Sequence, residues 1–253
     1  MVVSAIVGII GIIGSLYYVF NFPSPGFAGY FDKPSFVLLM IMPPSVMLLS
    51  HSIQDFITGI STLVTTLFSS RDSTQNEVID ILTRSSAMVR SDGIGALVQV
   101  RGAIRYPLLR DGVSLIINDF SPQEIHHNIS NKINTKQTKM ALASNLFENM
   151  SKLSPGVGMI GTLLGLIAMM EQLGDPSQIG KGMALAMITT LYGLLLGTLV
   201  YAPMGEKIGL EAEKVMETDQ LVLEGVMSLK GKKSSVHMKD IMSTYAGKKS
   251  PKK

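Results

Sequence analysis

The sequence predicts an all-α polytopic membrane protein: four transmembrane helices, a helical cytoplasmic domain between helices two and three, and a cytoplasmic C-terminal helix. Three observations predict it. Charged residues are only 16% of the 253 while hydrophobic residues reach 46%, so the apolar residues are bunched. Four stretches, 1–31, 34–54, 153–170 and 182–205, carry no Asp, Glu, Lys or Arg, and a helix crosses a bilayer with about 20 apolar residues. Of the 22 basic residues, ten lie in 55–152 and ten after residue 205.

The first span is placed at about 1–20. A cleaved signal peptide is the other reading of such a run, but this one lacks a basic leading segment and a small-x-small cleavage site. The second span is placed at about 34–52. Pro43 and Pro44 sit in its middle and His51 near its end; membrane helices tolerate proline where neighbouring groups satisfy the freed carbonyls. Only Lys33 is basic between spans one and two, and only Lys181 between spans three and four. The positive-inside rule therefore makes 53–152 and the tail cytoplasmic, with both termini inside. Tyr17, Tyr18, Phe20, Phe22, Phe27, Tyr30, Phe31 and Phe36 gather at the outer end of the first hairpin as an interfacial aromatic belt.

Within 53–152 the pattern is helical. Val78, Ile81, Leu82, Ser85 and Val89 recur at three and four, as do Ile104, Leu108 and Leu109. Asp92-Gly93 and Arg110-Asp111-Gly112 read as turns. Ser121-Pro122-Gln123-Glu124 reads as a helix start, with a capping serine, a first-position proline and an early acid. The third and fourth spans are placed at about 153–173 and 182–204. The tail, 206–253, opens as a charged helix and ends in the lysine-rich solvated segment 246–253.

The chain has no cysteine, which excludes disulfides, thiolate metal sites, Fe–S clusters and cysteine nucleophiles. His126 and His127 are adjacent and point to different helix faces, so no metal site is expected. No serine, histidine and acid grouping suggests catalysis, and no cofactor is expected. Gly156-x-Gly158-x-x-Gly161 matches a dinucleotide fingerprint in letters, but no strand precedes it, and close helix packing is the better reading. Asn128 and Asn149 head sequons on the cytoplasmic side, where they carry no glycan. The basic excess follows from topology, so no nucleic-acid partner is expected.

Spans three and four carry the main signal. Pro155, Gly158, Thr162 and Gly165 lie on one helix face, and Ala186, Thr190, Gly193 and Gly197 on another. Each face is small, with a hydroxyl near mid-span, and small faces let helices approach closely. Pro155 and Pro203 mark the cytoplasmic ends, where proline can kink a helix and free carbonyls. No ionisable residue lies deep in any span. Ion pathways generally use one, so a conducted ion needs a carboxylate from another chain.

PGVGMIGTLLGLIAMMEQLGDPSQIGKGMALAMITTLYGLLLGTLVYAPMGEKI, residues 155–208, resembles spans three and four of the MotA/PomA flagellar stator subunits, within the MotA/TolQ/ExbB superfamily. LVLEGVMSLKGKKSSVHMKDIMSTY, residues 221–245, resembles that family's C-terminal segment. The resemblance implies a subunit of the bacterial inner membrane that forms a homo-oligomer, a pentamer, around a MotB/PomB-type partner. That single-span partner supplies the membrane aspartate, and ion flow drives torque on the rotor protein FliG. Their mid-span hydroxyls make Thr162 and Thr190 the expected ion-pathway residues, and position makes Pro155, Pro203, Gly158 and Gly193 the expected hinge or pore residues. Arg90 in MVRSDGIGAL matches the family's rotor-contact arginine. The family acid after Ala-Leu is Val98 here, followed by Gln99, and Arg101 and Arg105 are further candidates for rotor binding. GMIGTLLGL and ITTLYG resemble the sodium-type pattern, so Na+ is favoured over H+ as the transported cation, although threonines also bond back to their own helix carbonyls. A TolQ/ExbB-type energiser of outer-membrane processes and a scaffold that moves no ions are the other readings.

Overall fold

The structure is a computed structural model and describes residues 2–21, 30–68, 74–171, 174, 176–233, 236 and 238. Among these every regular element is helical. The helices are α1 (Val2–Asn21), α2 (Lys33–Ser50), α3 (Ile53–Phe68), α4 (Thr74–Asp92), α5 (Leu97–Arg101), α6 (Pro107–Ile117), α7 (Pro122–Met170), α8 (Pro176–Leu195) and α9 (Ala202–Lys230). A π-helical turn, Leu196–Tyr201, joins α8 to α9. The chain divides into two compact units, 1–67 with 142–208 and 68–141 with 209–253.

The first unit holds the apolar runs. By length and composition, three candidate spans are found among the described residues: α2, the apolar part of α7, and the stretch Ile179–Lys230. The described apolar part of α1, Val7–Asn21, is shorter than a full span. Asp32 caps α2 by accepting from the Ser35 amide at 2.7 Å. The helix then runs unbroken through Pro43 and Pro44. Its buried residues Ser35, Leu39, Pro43 and Met47 recur every fourth position and so form one row. The His51 amide closes α2 on the Met47 carbonyl at 2.9 Å. Ser52 at once caps α3: the Asp55 amide donates to Ser52 Oγ at 3.1 Å, and Asp55 Oδ2 accepts from both the Ser52 amide and hydroxyl. Met47, Leu63, Ala143, Leu146, Phe147, Met150, Tyr201 and Ile208 make the core of this unit. At its aromatic end the Phe20 and Tyr30 rings lie 4.8 Å apart, while Tyr17, Tyr18 and Phe31 are exposed. Phe22 and Phe27 lie outside the described residues, as does the segment 246–253.

The second unit is built on Val78, Leu82, Val89, Leu97, Leu109, Val113, Ile116, Ile125, Ile129, Leu221, Val222 and Val226. The periodic residues of 78–89 therefore face inward. Gly93 ends α4 with φ +79, a conformation that glycine adopts without a side-chain clash. Arg110-Asp111-Gly112 is not a turn: it lies inside α6, and Gly112 is buried. A Cβ there would come within 2.7 Å of the Val226 side chain and 3.1 Å of Ile129. The glycine serves close packing, which a local Asp-Gly signal does not distinguish from a turn. The start of α7 follows the expected capping box. Ser121 Oγ accepts from the Glu124 amide at 3.3 Å, and Glu124 Oε2 accepts from the Ser121 amide at 2.8 Å. These Ser121 hydrogen bonds, side-chain first, hold the Glu124 carboxyl below its ordinary range.

Candidate functional site: the small-residue helix pair

The faces of α7 and α8 picked out by spacing meet. A Cβ on Gly158 would lie 3.1 Å from the Thr189 carbonyl oxygen and 3.3 Å from the Gly193 Cα. A Cβ on Gly193 would lie 2.7 Å from the Ser154 carbonyl oxygen and 3.0 Å from the Gly158 Cα. Gly165 meets Ala186 in the same way. Backbone thus touches backbone along the pair, which only glycine and alanine permit.

Pro155 lies inside α7, which continues through it. Residue 155 offers no amide hydrogen, so the Ser151 carbonyl loses its helical donor. That oxygen faces Gly197, at 2.7 Å from where its Cβ would be, and the Pro155 ring lies 3.1 Å from the same point. Gly197 is the second residue of the π-helical turn, and Pro203 follows that turn as the second residue of α9. The two prolines therefore bracket an irregular stretch, and π turns recur at working sites in helices.

Thr162 and Thr190 hydrogen-bond to each other through their hydroxyls. Thr162 Oγ1 is also 3.1 Å from the Gly158 carbonyl and 3.0 Å from that of Ala186, so its single proton has three acceptors in reach. Two hydroxyls and two carbonyls converge at mid-pair in an otherwise apolar stretch. Residues 153–170 and 182–205 contain no Asp, Glu, Lys, Arg or His. The polar atoms here can bind or pass a cation but cannot themselves carry its charge.

A second hydroxyl pair was not foreseen. Ser35 Oγ on α2 and Thr189 Oγ1 on α8 lie 2.6 Å apart and are buried. Tyr192 donates to the Tyr30 carbonyl at 2.5 Å, tying the same two regions. The sequence signal was the doublet Thr189-Thr190: neighbours on a helix are turned about 100° apart, so one hydroxyl serves α7 and the other α2.

In the second unit Arg90 lies in the last turn of α4, Arg101 ends α5, and Arg105 lies in the short link before α6. All three are exposed, and Val98 is 58% exposed beside them on α5. The ion pairs found among the described residues involve none of these arginines.

The fold and the site define a helical membrane protein with a charge-free, close-packed helix pair centred on two threonine hydroxyls. Residues 101–220 match the MotA/TolQ/ExbB proton channel family. The chain is 29% identical over 219 residues to Motility protein A of Borreliella burgdorferi, covering 85% of this chain and 83% of that one. It is 24% identical over 230 residues to Chemotaxis protein PomA of Vibrio alginolyticus, covering 90% and 89%. Its fold matches a chain in the solved structure of C. jejuni MotAB with a TM-score of 0.89 at 17% identity, covering 99% and 98% of the two chains. The chain is thus similar to MotA/PomA-type proteins of this family over most of its length.

Proposed function

We propose that this chain is a flagellar motor stator subunit that, with a MotB/PomB-type partner, couples inward ion flow across the bacterial inner membrane to torque on the rotor. The observation that carries it is the α7–α8 pair: a close-packed, threonine-centred face with no ionisable group of its own. A path of this kind is complete only when another chain brings a carboxylate to it. The partner in this proposal is a single-span protein with a membrane aspartate; the likeness to chains of solved MotAB complexes supports a MotB-type partner. Four spans with both termini in the cytoplasm, a pentamer of this chain around the partner, and rotor contact with FliG through Arg90, Arg101 and Arg105 complete the proposal.

The coupling ion in this proposal is sodium. A dehydrated sodium ion needs oxygen ligands, and the two hydroxyls and two carbonyls at Thr162 and Thr190 supply them at one level of the pair. Cells lacking the gene are expected to be non-motile, and the gene together with its partner is expected to restore swimming whose speed rises with external sodium at fixed pH. Thr162→Ala is expected to weaken that dependence. Full speed in sodium-free medium, abolished by a protonophore, would assign the proton instead. Normal swimming of the deletion strain together with loss of an outer-membrane uptake process would assign the TolQ/ExbB-type role.

A further inference from the structure

Among the described residues of the second unit, a buried carboxylate gathers a polar cluster that the ion path does not use. Asp219 of α9 has a side chain with 0% exposure. Lys136 of α7 donates to both of its oxygens, at 2.8 and 3.1 Å. The Tyr106 hydroxyl donates to Asp219 Oδ1. Lys136 Nζ is also 3.3 Å from that hydroxyl and lies 5.3 Å from the centre of the Tyr106 ring. Three separate chain segments thus converge on one carboxylate.

Tyr106 is the residue at which the link after α5 becomes α6, and its backbone is extended, at φ −76 and ψ 113. In the link, Ile104 is 3% exposed and joins the core, Arg105 is exposed, and Tyr106 is half-buried. Successive residues of extended chain point to opposite sides. With Ile104 and Tyr106 both held inward, Arg105 is turned out. Ile104 is held by apolar contact, which is not directional. The Tyr106 hydroxyl is held by a directed bond to a buried charge, and such bonds fix orientation.

We propose that Tyr106, Lys136 and Asp219 are positioning residues: they clamp the 102–106 link against α7 and α9 and so hold Arg101 and Arg105 in the orientation that the rotor meets. The proposal rests on the assignment of those arginines as rotor contacts. A link of five residues with two glycine- or alanine-type positions, Gly102 and Ala103, would otherwise swing under a tangential load. A directed ionic cluster around a buried carboxylate is suited to the task because it specifies one register, where apolar side chains of similar volume would only fill the space.

Tyr106→Phe removes the hydroxyl and keeps the ring, so the unit folds. In the purified membrane complex with its single-span partner, amide exchange at residues 103–106 is expected to rise about tenfold or more, because one bond to a charged group is lost. Exchange in α4 is expected to stay unchanged. In cells the variant is expected to reach the membrane at normal level, swim normally without load, and slow disproportionately in viscous medium. Lys136→Arg, which keeps the charge and its donors, is expected to retain load-bearing speed where Lys136→Met does not. Exchange at 103–106 unchanged in Tyr106→Phe overturns the clamp. Faster exchange with full speed under load overturns its positioning role. Arg101→Glu and Arg105→Glu swimming normally under load would instead remove the rotor assignment of those arginines, and the clamp would then stand or fall on the exchange result alone.

Discussion

At the scale of single residues, two glycines of the α7–α8 pair differ completely in environment. Gly156 has open space where a Cβ would go, whereas a Cβ on Gly193 would meet the Ser154 carbonyl oxygen at 2.7 Å. That oxygen is backbone and cannot swing aside, so α7 and α8 must separate to admit one methyl group. Gly193→Ala is therefore expected to abolish motility and to lower recovery of the partner with the purified complex. Gly156→Ala is expected to swim as the parent does and, if anything, to gain helix stability of up to about 1 kcal/mol. Equal tolerance of both substitutions would show that the close approach of the two helices is not needed. The same scale shows what sequence spacing makes legible. Steps of three and four placed Thr162 and Thr190 on facing surfaces, and their hydroxyls do meet. The pairing of Ser35 with Thr189 joins residues 154 positions apart, and no local pattern encodes which distant hydroxyl completes a buried one.

At the scale of elements, the prolines act through the helices that contain them. Pro155 leaves the Ser151 carbonyl without an α-helical donor, and Gly197 of the π-helical turn sits against that oxygen. Pro155→Ala restores an amide that competes for the carbonyl, which tightens α7 and weakens its link to the turn. Pro203→Ala lets α9 extend toward a regular helix and removes a reason for the turn. Each variant is expected to assemble at normal level and to generate little torque, measured as the speed of tethered cells. Loss of the protein from the membrane would show that the prolines serve folding. The α7 start offers a milder test. Ser121→Ala removes the N-cap and is expected to cost about 0.5–2 kcal/mol of stability, read as a lowered Tm of the purified complex. Glu124 is the titratable half of this box. Its carboxyl is lowered in the folded state, so its contribution is complete at neutral pH and is lost as pH falls through that lowered value. The Tm difference between parent and variant should therefore shrink below about pH 4, under the ordinary carboxylate range. A difference constant from pH 7 down to pH 3 would exclude Glu124 from the cap. Capping and amphipathic period are local, and the sequence made both legible at Ser121 and across Val78–Val89. The π turn and the packing role of Gly112 are imposed by neighbours, Pro155 and Ser151 in one case and Val226 and Ile129 in the other. Reading Arg110-Asp111-Gly112 as a turn failed for that reason.

At the scale of the whole molecule, the number of spans decides on which side the N-terminus lies. Charge-free runs gave four expected spans, while three meet the length requirement among the described residues and α1 contributes the shorter stretch Val7–Asn21. The two counts differ in a way that parity decides. With an even number of spans both ends of the chain share one side of the membrane; with three they lie on opposite sides. Twenty of the 22 basic residues fall in 55–152 or after 205, and keeping them in the cytoplasm fixes the positions of α2, α7 and α8 but not that of α1. The apolarity of α1 inserts it, and its twenty helical residues span about 30 Å, which suffices for the hydrocarbon core. The expected outcome is four spans. Because the chain is free of cysteine, single cysteines report without background. A cysteine at Ser130 should react with a membrane-impermeant maleimide only after the cells are opened. One at Lys33 or Lys181 should react in intact cells. An epitope at the N-terminus should be protected from added protease in intact cells and cleaved in inverted vesicles. Cleavage in intact cells, with Ser130 still protected, would establish three spans and an external N-terminus, the topology of the TolQ/ExbB-type alternative.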